Sequence, residues 1–256
     1  SSTRQVFFED AKIPVDNVLG EIGKGHLIAF NTLNVGRFKL NALCNGGAKE
    51  CITRSVNYAN ERHQFKQPIS NFGAIKYKLG EQAIRVFASE SSLYRTSQLM
   101  QDWNENLKKE GIGFGEAKLQ AAEEYAIECA LLKVIGSEAL DYIVDENLQI
   151  HGGMGYSEEG TAARAYRDSR INRIYEGTNE INRLLSVDMF FRRGMAGAFD
   201  MVGPAWAVQK ELASMPSMEQ PEGPYGQEVK AVSEFKKILL MVAGAAGKAQ
   251  IGRAHV

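Results

Sequence analysis

From Gly25 to about Glu61, apolar residues recur in steps of three and four: Leu27, Ile28, Phe30, Leu33, Val35, Phe38, Leu40, Leu43, Cys44, Ala48, Cys51, Ile52, Val56 and Ala59. That period is the buried stripe of one long helix. Pro68, in "RHQFKQPIS", ends it. A second stripe begins near Asn71 with Phe72, Ile75, Leu79, Ala83, Val86 and Phe87, passes through Leu93 and Leu99, and closes in "NENLKKEGIG". A third covers about Glu116 to Asn147 on Leu119, Ala122, Ala126, Ala130, Leu131, Val134 and Leu140; a fourth follows Thr178 with Ile181, Leu184, Leu185 and Phe190. Three of these exceed thirty residues, which at 1.5 Å per residue makes each about 50 Å long. Long amphipathic helices with short connections form an antiparallel bundle. The pattern therefore predicts an all-α chain: an up-down four-helix bundle over residues 25–195.

The two ends read differently. Residues 5–20, "QVFFEDAKIPVDNVLG", carry short apolar runs broken by Pro14 and Asn17, which reads as one strand and a turn with no partner strand in the chain. Residues 1–24 are thus expected to be a remnant β-strand and its exit. After Gly194, "GMAGAFDMVGPAW" and "SMPSMEQPEGPYG" read as linkers, and "EVKAVSEFKKILLMVAGAAGKAQ" as a further helix, so 196–256 is expected to be an additional, partial helical tail. The longest apolar run, "ILLMVAGAA", is about half the length of a membrane span. The chain opens on "SSTRQVFFED" without methionine and is expected to be cut from something longer.

Composition narrows the chemistry. A formal net charge of -1 gives no clustered excess of Lys and Arg for nucleic acid. Cys44, Cys51 and Cys129 form no Cys-x-x-Cys pair and read as buried reduced thiols. A di-iron bundle needs Glu-x-x-His pairs, and none of His26, His63, His151 or His255 has a glutamate three residues before it, so no metal is expected.

Three stretches remain. In "LQIHGGMGYSEEG", Gly152, Gly153 and Gly155 could be a helix stop, or could expose backbone N–H groups to a phosphate or planar ring. In "NERHQFKQPI", Arg62, Gln64 and Phe65 place a charge, an amide and an aromatic face at a helix end. In "RINRIYEGTNEINR", Glu176 precedes a helix that Thr178 is suited to cap. By itself Glu176 reads as a salt-bridge partner of Arg173 or Arg183.

Together, and with "NVGRF" and "KVIGSEA", these stretches resemble the acyl-CoA dehydrogenase family, most closely its very-long-chain branch, over about residues 6–192. The resemblance implies the C-terminal bundle domain of an FAD-dependent oxidoreductase, with the N-terminal helical domain and most of the middle β-domain outside this chain. It implies Glu176 as the base that removes the α-proton of a fatty acyl-CoA while a hydride leaves the β-carbon for FAD, giving a trans-2-enoyl-CoA in fatty acid β-oxidation. A solvated glutamate is too weak for a carbon acid, so the role demands a dry pocket.

The same resemblance implies FAD contacts at Gln149, Ile150, His151, Gly152, Gly153, Thr178, Asn179 and Glu180. Arg62, Gln64 and Phe65 would reach the FAD of a neighbouring subunit, hence a homodimer or homotetramer. Asn34, Val35, Gly36, Arg37, Tyr175 and Gly177 are implied substrate contacts. Gly73 and Lys66 depart from the family pattern, standing where glutamine and glycine are common. An electron-transfer flavoprotein or similar acceptor is the implied redox partner, in the cytoplasm of a bacterium or at the matrix or inner-membrane face of a mitochondrion. The tail is implied to be the extra helical region of the very-long-chain branch, in peripheral contact with membranes or buried on the bundle. A silent helical scaffold and an acyl-CoA oxidase are the competing readings, and residues 1–256 alone are expected to have little or no activity.

Overall fold

The computed structural model describes residues 4–214 and 223–253. They fall into two compact units, residues 1–183 and 184–256. In the first, α1 (Gly25–Glu61) ends at a hairpin of β1 (His63–Gln64) and β2 (Gln67–Pro68), and α2 (Gly73–Lys109) returns. Then come α3 (Phe114–Glu124), α4 (Ala126–His151), the single turn α5 (Gly153–Tyr156), α6 (Thr161–Ser169) and a 3-10 turn over Arg170–Arg173. Helix α7 (Asn179–Met195) leads into the second unit, which continues with α8 (Val202–Leu212) and α9 (Gly226–Arg253).

Cross-helix pairs fix the directions. Lys78 bonds to Glu146, the Arg85 guanidinium lies 4.0 Å from the Tyr142 ring centroid, and Met100 meets Cys129, so α2 runs antiparallel to α4. Asn41 donates to the Leu132 carbonyl (2.7 Å), Ser55 to Asn147 (2.9 Å), and Tyr58 stacks on His151 with ring centroids 4.3 Å apart, so α1 and α4 run parallel. That is the up-down-up order short connections produce. Leu40, Cys44, Ala48, Cys51, Val86, Leu140, Ile143 and Val144 form the apolar core.

Four expectations are corrected. Residues 5–20 form no strand: they are exposed, with a bend at Glu9 and Asp10 and a 3-10 turn over Val15–Asn17, because β1 and β2 pair only with each other and no strand in the described residues offers them a ladder. The third helix is two, since Tyr125 leaves helical geometry and sets its ring edge-on to Trp103. The stretch read as linker, "GMAGAFDMVGPAW", starts α8, where Asp200 accepts the N–H groups of Val202 (3.0 Å) and Gly203 (2.9 Å) and Pro204 occupies the tolerant first turn. "SMPSMEQPEGPYG" lies mostly outside the described residues. Finally, α1 does not bury all of its apolar stripe. Leu43 is 64% exposed, while Asn34, Arg37, Asn41 and Asn45 face inward.

In the second unit, α8 and α9 pack around a cavity of about 380 Å³ lined by Met201, Trp206, Leu240, Met241 and Gly244. Among the described residues, no helix is long and apolar enough to cross a membrane.

Candidate active site

Helix α6 and the 3-10 turn carry the chain back along α4. Arg54 on α1 bonds to Thr161 at the start of α6, Arg173 pairs with Asp141 (2.9 Å), and Asn179 reaches Ser137 (3.0 Å). From His151 to Lys133 is eighteen residues of α4, about 27 Å of axis. The loop 174–178 is thereby delivered to the middle of the bundle, beside the buried polar residues of α1.

Within that loop two consecutive residues take left-handed backbone, Glu176 at φ 60° and Gly177 at φ 79°. The turn costs a non-glycine residue energy and persists only where its surroundings over-determine it. They do. Arg37 Nε donates to the Glu176 carbonyl (3.1 Å) and Lys133 Nζ to the Gly177 carbonyl (2.8 Å). Asn182 Nδ2 lies within 3.3 Å of the carbonyls of Glu176, Gly177 and Thr178.

The Glu176 side chain is not the salt-bridge partner it resembles in isolation. Arg173 pairs with Asp141 and Arg183 with Glu138. The half-buried Glu176 carboxylate lies over Gly36 of α1, where an added Cβ would stand 2.8 to 2.9 Å from its atoms. Its Oε2 is buried without a hydrogen-bond partner. Two cations, Arg37 and Lys133, act on it electrostatically. Burial pulls Arg37 below its ordinary pKa against the opposing pull of Glu176 and Cys129, and lowers Lys133 to about 8.

The other expected site residues divide between two places. Asn34, Val35, Gly36, Arg37, Tyr175, Gly177, Thr178, Asn179 and Glu180 surround Glu176 in chain or space. Asn34 accepts from Arg37 (3.1 Å), Tyr175 donates to Asn172 (2.9 Å), and Thr178 caps α7 by accepting the Ile181 N–H (3.3 Å). The exposed Glu180 carboxyl is held below its ordinary range by its own backbone N–H and then by Thr178. Asn179 differs from its expected role in one respect: its side chain is buried, accepting from Lys133 (2.7 Å) and Ser137 (3.3 Å), so only its backbone can face a cofactor.

Arg62, Gln64, Phe65, Gln149, Ile150, His151, Gly152 and Gly153 gather at the far end, because parallel α1 and α4 terminate together. Phe65, 86% exposed, sits edge-on to Phe72 at a turn in which Phe65 and Lys66 have φ 50° and 69°. That backbone is the reason a glycine suits the position of Lys66. At the other motif only Gly152 has left-handed backbone, and an added Cβ on Gly152 or Gly153 would meet nothing within 4 Å. Gly155 is glycine for another reason: its Cβ would stand 2.2 Å from the Leu148 carbonyl oxygen. Open backbone beside the stacked Tyr58 and His151 rings suits a planar or phosphate-bearing group. Ile150 is buried and Gln149 exposed.

Lys133, Ser137, Asn182 and Tyr58 escaped the sequence reading. A lone lysine within "CALLKVIG" was the available signal. All three cysteines are buried free thiols, with Cys44 and Cys129 pushed up to about 12 by burial. Among the described residues no group of three His, Cys, Asp or Glu could hold a metal ion.

The bundle folds the left-handed Glu176–Gly177 turn onto its own buried cations, and residues 23–188 match the family model "Acyl-CoA dehydrogenase, C-terminal domain". The chain belongs to the acyl-CoA dehydrogenase family. It is 48% identical over 248 residues to a probable acyl-CoA dehydrogenase of Bacillus subtilis, covering 97% of this chain and 42% of that protein. It is 41% identical over 184 residues to the very long-chain specific mitochondrial enzyme of Rattus norvegicus, covering 72% of this chain and 25% of that protein. The crystal structure of an acyl-CoA dehydrogenase complexed with FAD from Bacillus anthracis superposes with a TM-score of 0.90 at 50% identity, over 94% of this chain and 41% of that one. The chain thus spans less than half the length of these relatives.

Proposed function

We propose that the protein carrying this chain oxidises a fatty acyl-CoA, preferentially long-chain, to the trans-2-enoyl-CoA, with Glu176 as the base that takes the α-proton. The observation that carries this is the buried, unpartnered Oε2 of Glu176 on a loop in which the carbonyls of Glu176, Gly177 and Thr178 are all fastened. A fixed loop keeps the acceptor atom in place, and an unpaired oxygen loses no hydrogen bond when the α-C–H approaches. The Arg37 and Lys133 cations offset the carboxylate charge in the resting state. When the carboxylate takes the proton it becomes neutral, while the Lys133 ammonium stays tied to the Gly177 carbonyl and the Asn179 side chain.

FAD, when bound, accepts the hydride that leaves the β-carbon. Thr178 and the backbone of Asn179 and Glu180 would meet it beside the base, with Gly177 on the substrate side. Arg62, Gln64, Phe65 and Gln149 to Gly153 would meet the FAD of another subunit of a homodimer or homotetramer, consistent with a separation of about 27 Å along α4. The reduced protein would pass its electrons to an electron-transfer flavoprotein or similar acceptor, in a bacterial cytoplasm or a mitochondrion.

The test is acceptor reduction by the full-length, FAD-loaded protein with palmitoyl-CoA. Glu176→Gln is expected to lower kcat by about 10²- to 10⁴-fold, the usual share of a general base, with FAD content unchanged. Activity near wild type would remove Glu176 from the mechanism.

A further inference from the structure

We propose that Lys133 is a positioning residue for the base: by tying the Gly177 carbonyl to the Asn179 side chain, it fixes the left-handed turn that aims Glu176. The inference rests on the reading of Glu176 given above.

Lys133 is the eighth residue of α4 and is fully buried. Its ammonium donates to Gly177 O at 2.8 Å and Asn179 Oδ1 at 2.7 Å, one residue past the base and one residue inside α7. These two partners bracket Thr178, the cap of α7, so a single buried group joins the loop to the helix that follows it. Asn179 is in turn held through its amide by Ser137 (3.0 Å) and Glu138 (3.2 Å), both on the same helix as Lys133. One stretch of α4, 133 to 138, therefore sets where the loop ends. Arg37 reaches the loop from α1, through the Glu176 carbonyl alone.

Packing does not explain a lysine at this position. A methionine would fill a similar volume near Cys44 without the cost of taking an ammonium out of water. What a methionine lacks is the pair of donors. Without them the Gly177 carbonyl keeps only Asn182, and Asn179 keeps only its α4 partners. The two positive φ angles at 176 and 177 are then less fully determined, and the carboxylate swings with the backbone that bears it.

The experiment uses Lys133→Met and Lys133→Gln in the full-length FAD-loaded protein, with wild type and Glu176→Gln alongside. Expected for Lys133→Met are unchanged FAD content and unchanged acyl-CoA affinity. Its kcat should be lower by about 10- to 100-fold, the penalty of misplacing a reacting group by about an ångström. Two further readouts separate positioning from mere stability. Substrate deuterated at the α-carbon should show a larger isotope effect on kcat, and amides 176 to 178 should exchange hydrogen faster by mass spectrometry. Lys133→Gln, whose shorter, uncharged side chain still carries N–H donors, should fall between Met and wild type. Wild-type kcat and exchange in Lys133→Met, alongside a disabled Glu176→Gln, overturn the role of Lys133 while leaving that of Glu176. An active Glu176→Gln overturns both. If neither lysine variant folds, Lys133 is a structural residue and the assignment also falls.

Discussion

Helices α1 and α4 run side by side, yet the contact between them changes chemistry halfway. Along Cys44, Ala48 and Cys51 against Leu140, Ile143 and Val144 it is small, apolar and closed. Along Arg37 and Asn41 against Lys133, Gly136 and Ser137 it is a buried polar network, so tight at Gly136 that an added Cβ would stand 2.6 Å from the Asn41 amide nitrogen. The apolar half gains stability from burial. The polar half sacrifices some, since each buried polar group needs a partner, and what it holds in return is the Glu176 loop. Stability and chemistry have been given to different lengths of the same helix pair.

The largest expected effect breaks the apolar half. Ile143 is completely buried in the core, and Ile143→Ala should cost about 2–5 kcal/mol through lost burial and the cavity left behind. Urea denaturation should show it, while kcat per folded molecule in the full-length protein stays at the wild-type value. A comparable loss of kcat would mean the two halves are not separate. In the polar half Gly36→Ala should do the reverse. Its new Cβ would fall 2.8 to 2.9 Å from the carboxylate of Glu176, a flexible side-chain end that can give way, and alanine suits a helix better than glycine. Stability should hold or rise, and kcat should fall by about 100-fold as the proposed base is pushed from its place.

The same division explains what the sequence disclosed. The apolar period located α1, α2, most of α4 and α7 because those helices bury residues at regular steps. It gave no hint that Asn34, Arg37, Asn41 and Asn45 form the inward face of α1, since asparagines at helical spacing look like a solvated side until their partners are known. Glu176 emerged from its motif, but its freedom from Arg173 and Arg183 did not, because Asp141 and Glu138 take those arginines across a fold the local sequence cannot show. Helix α6 was missed for a related reason: "TAARAYRDS" is nine residues long, too short for a period to stand out, and it is the segment that carries the loop back to Lys133. Residues 5–20 were read as a strand from short apolar runs broken by Pro14 and Asn17, and such runs cannot supply the partner a strand requires.

A smaller effect tests the polar half by pH. Burial lowers Lys133 from an ordinary 10.5 to about 8, countered by Cys44, Glu180 and Glu176 and reinforced by Arg37. Below pH 8 the ammonium is charged in both folded and unfolded chains, and the folded protein bears its full desolvation cost. Between 8 and 10.5 the unfolded chain keeps the proton that the folded one has lost, so this group makes stability rise with pH. Cys44 and Cys129, raised from 9.0 to about 12, work oppositely: the unfolded thiols ionise first, and stability falls from about pH 9 upward. The difference between Lys133→Met and wild type isolates the lysine. Any stability advantage of Lys133→Met in urea melts at pH 7 should shrink by pH 10, and an advantage that grows with pH would contradict the burial of a charge there.

The smallest effect lies at the rim of the network. Arg183 grips Glu138 with two hydrogen bonds of 2.8 Å, holding that carboxyl below its ordinary range, and Glu138 also accepts from Asn179 (3.2 Å). The pair is solvent-exposed, 52% and 38% for the two side chains, so Arg183→Ala should cost less than about 1 kcal/mol and less still at high salt. Its value is as a control on distance from the lysine. Glu138 still reaches Asn179 in the variant, and Lys133 still reaches both Asn179 and Gly177, so the turn at Glu176 should keep its geometry and kcat should stay within about twofold of wild type, the scale of a rim contact. A fall in kcat as large as that of Lys133→Met would place the hold on the loop at the surface pair, and the buried lysine would lose its distinction.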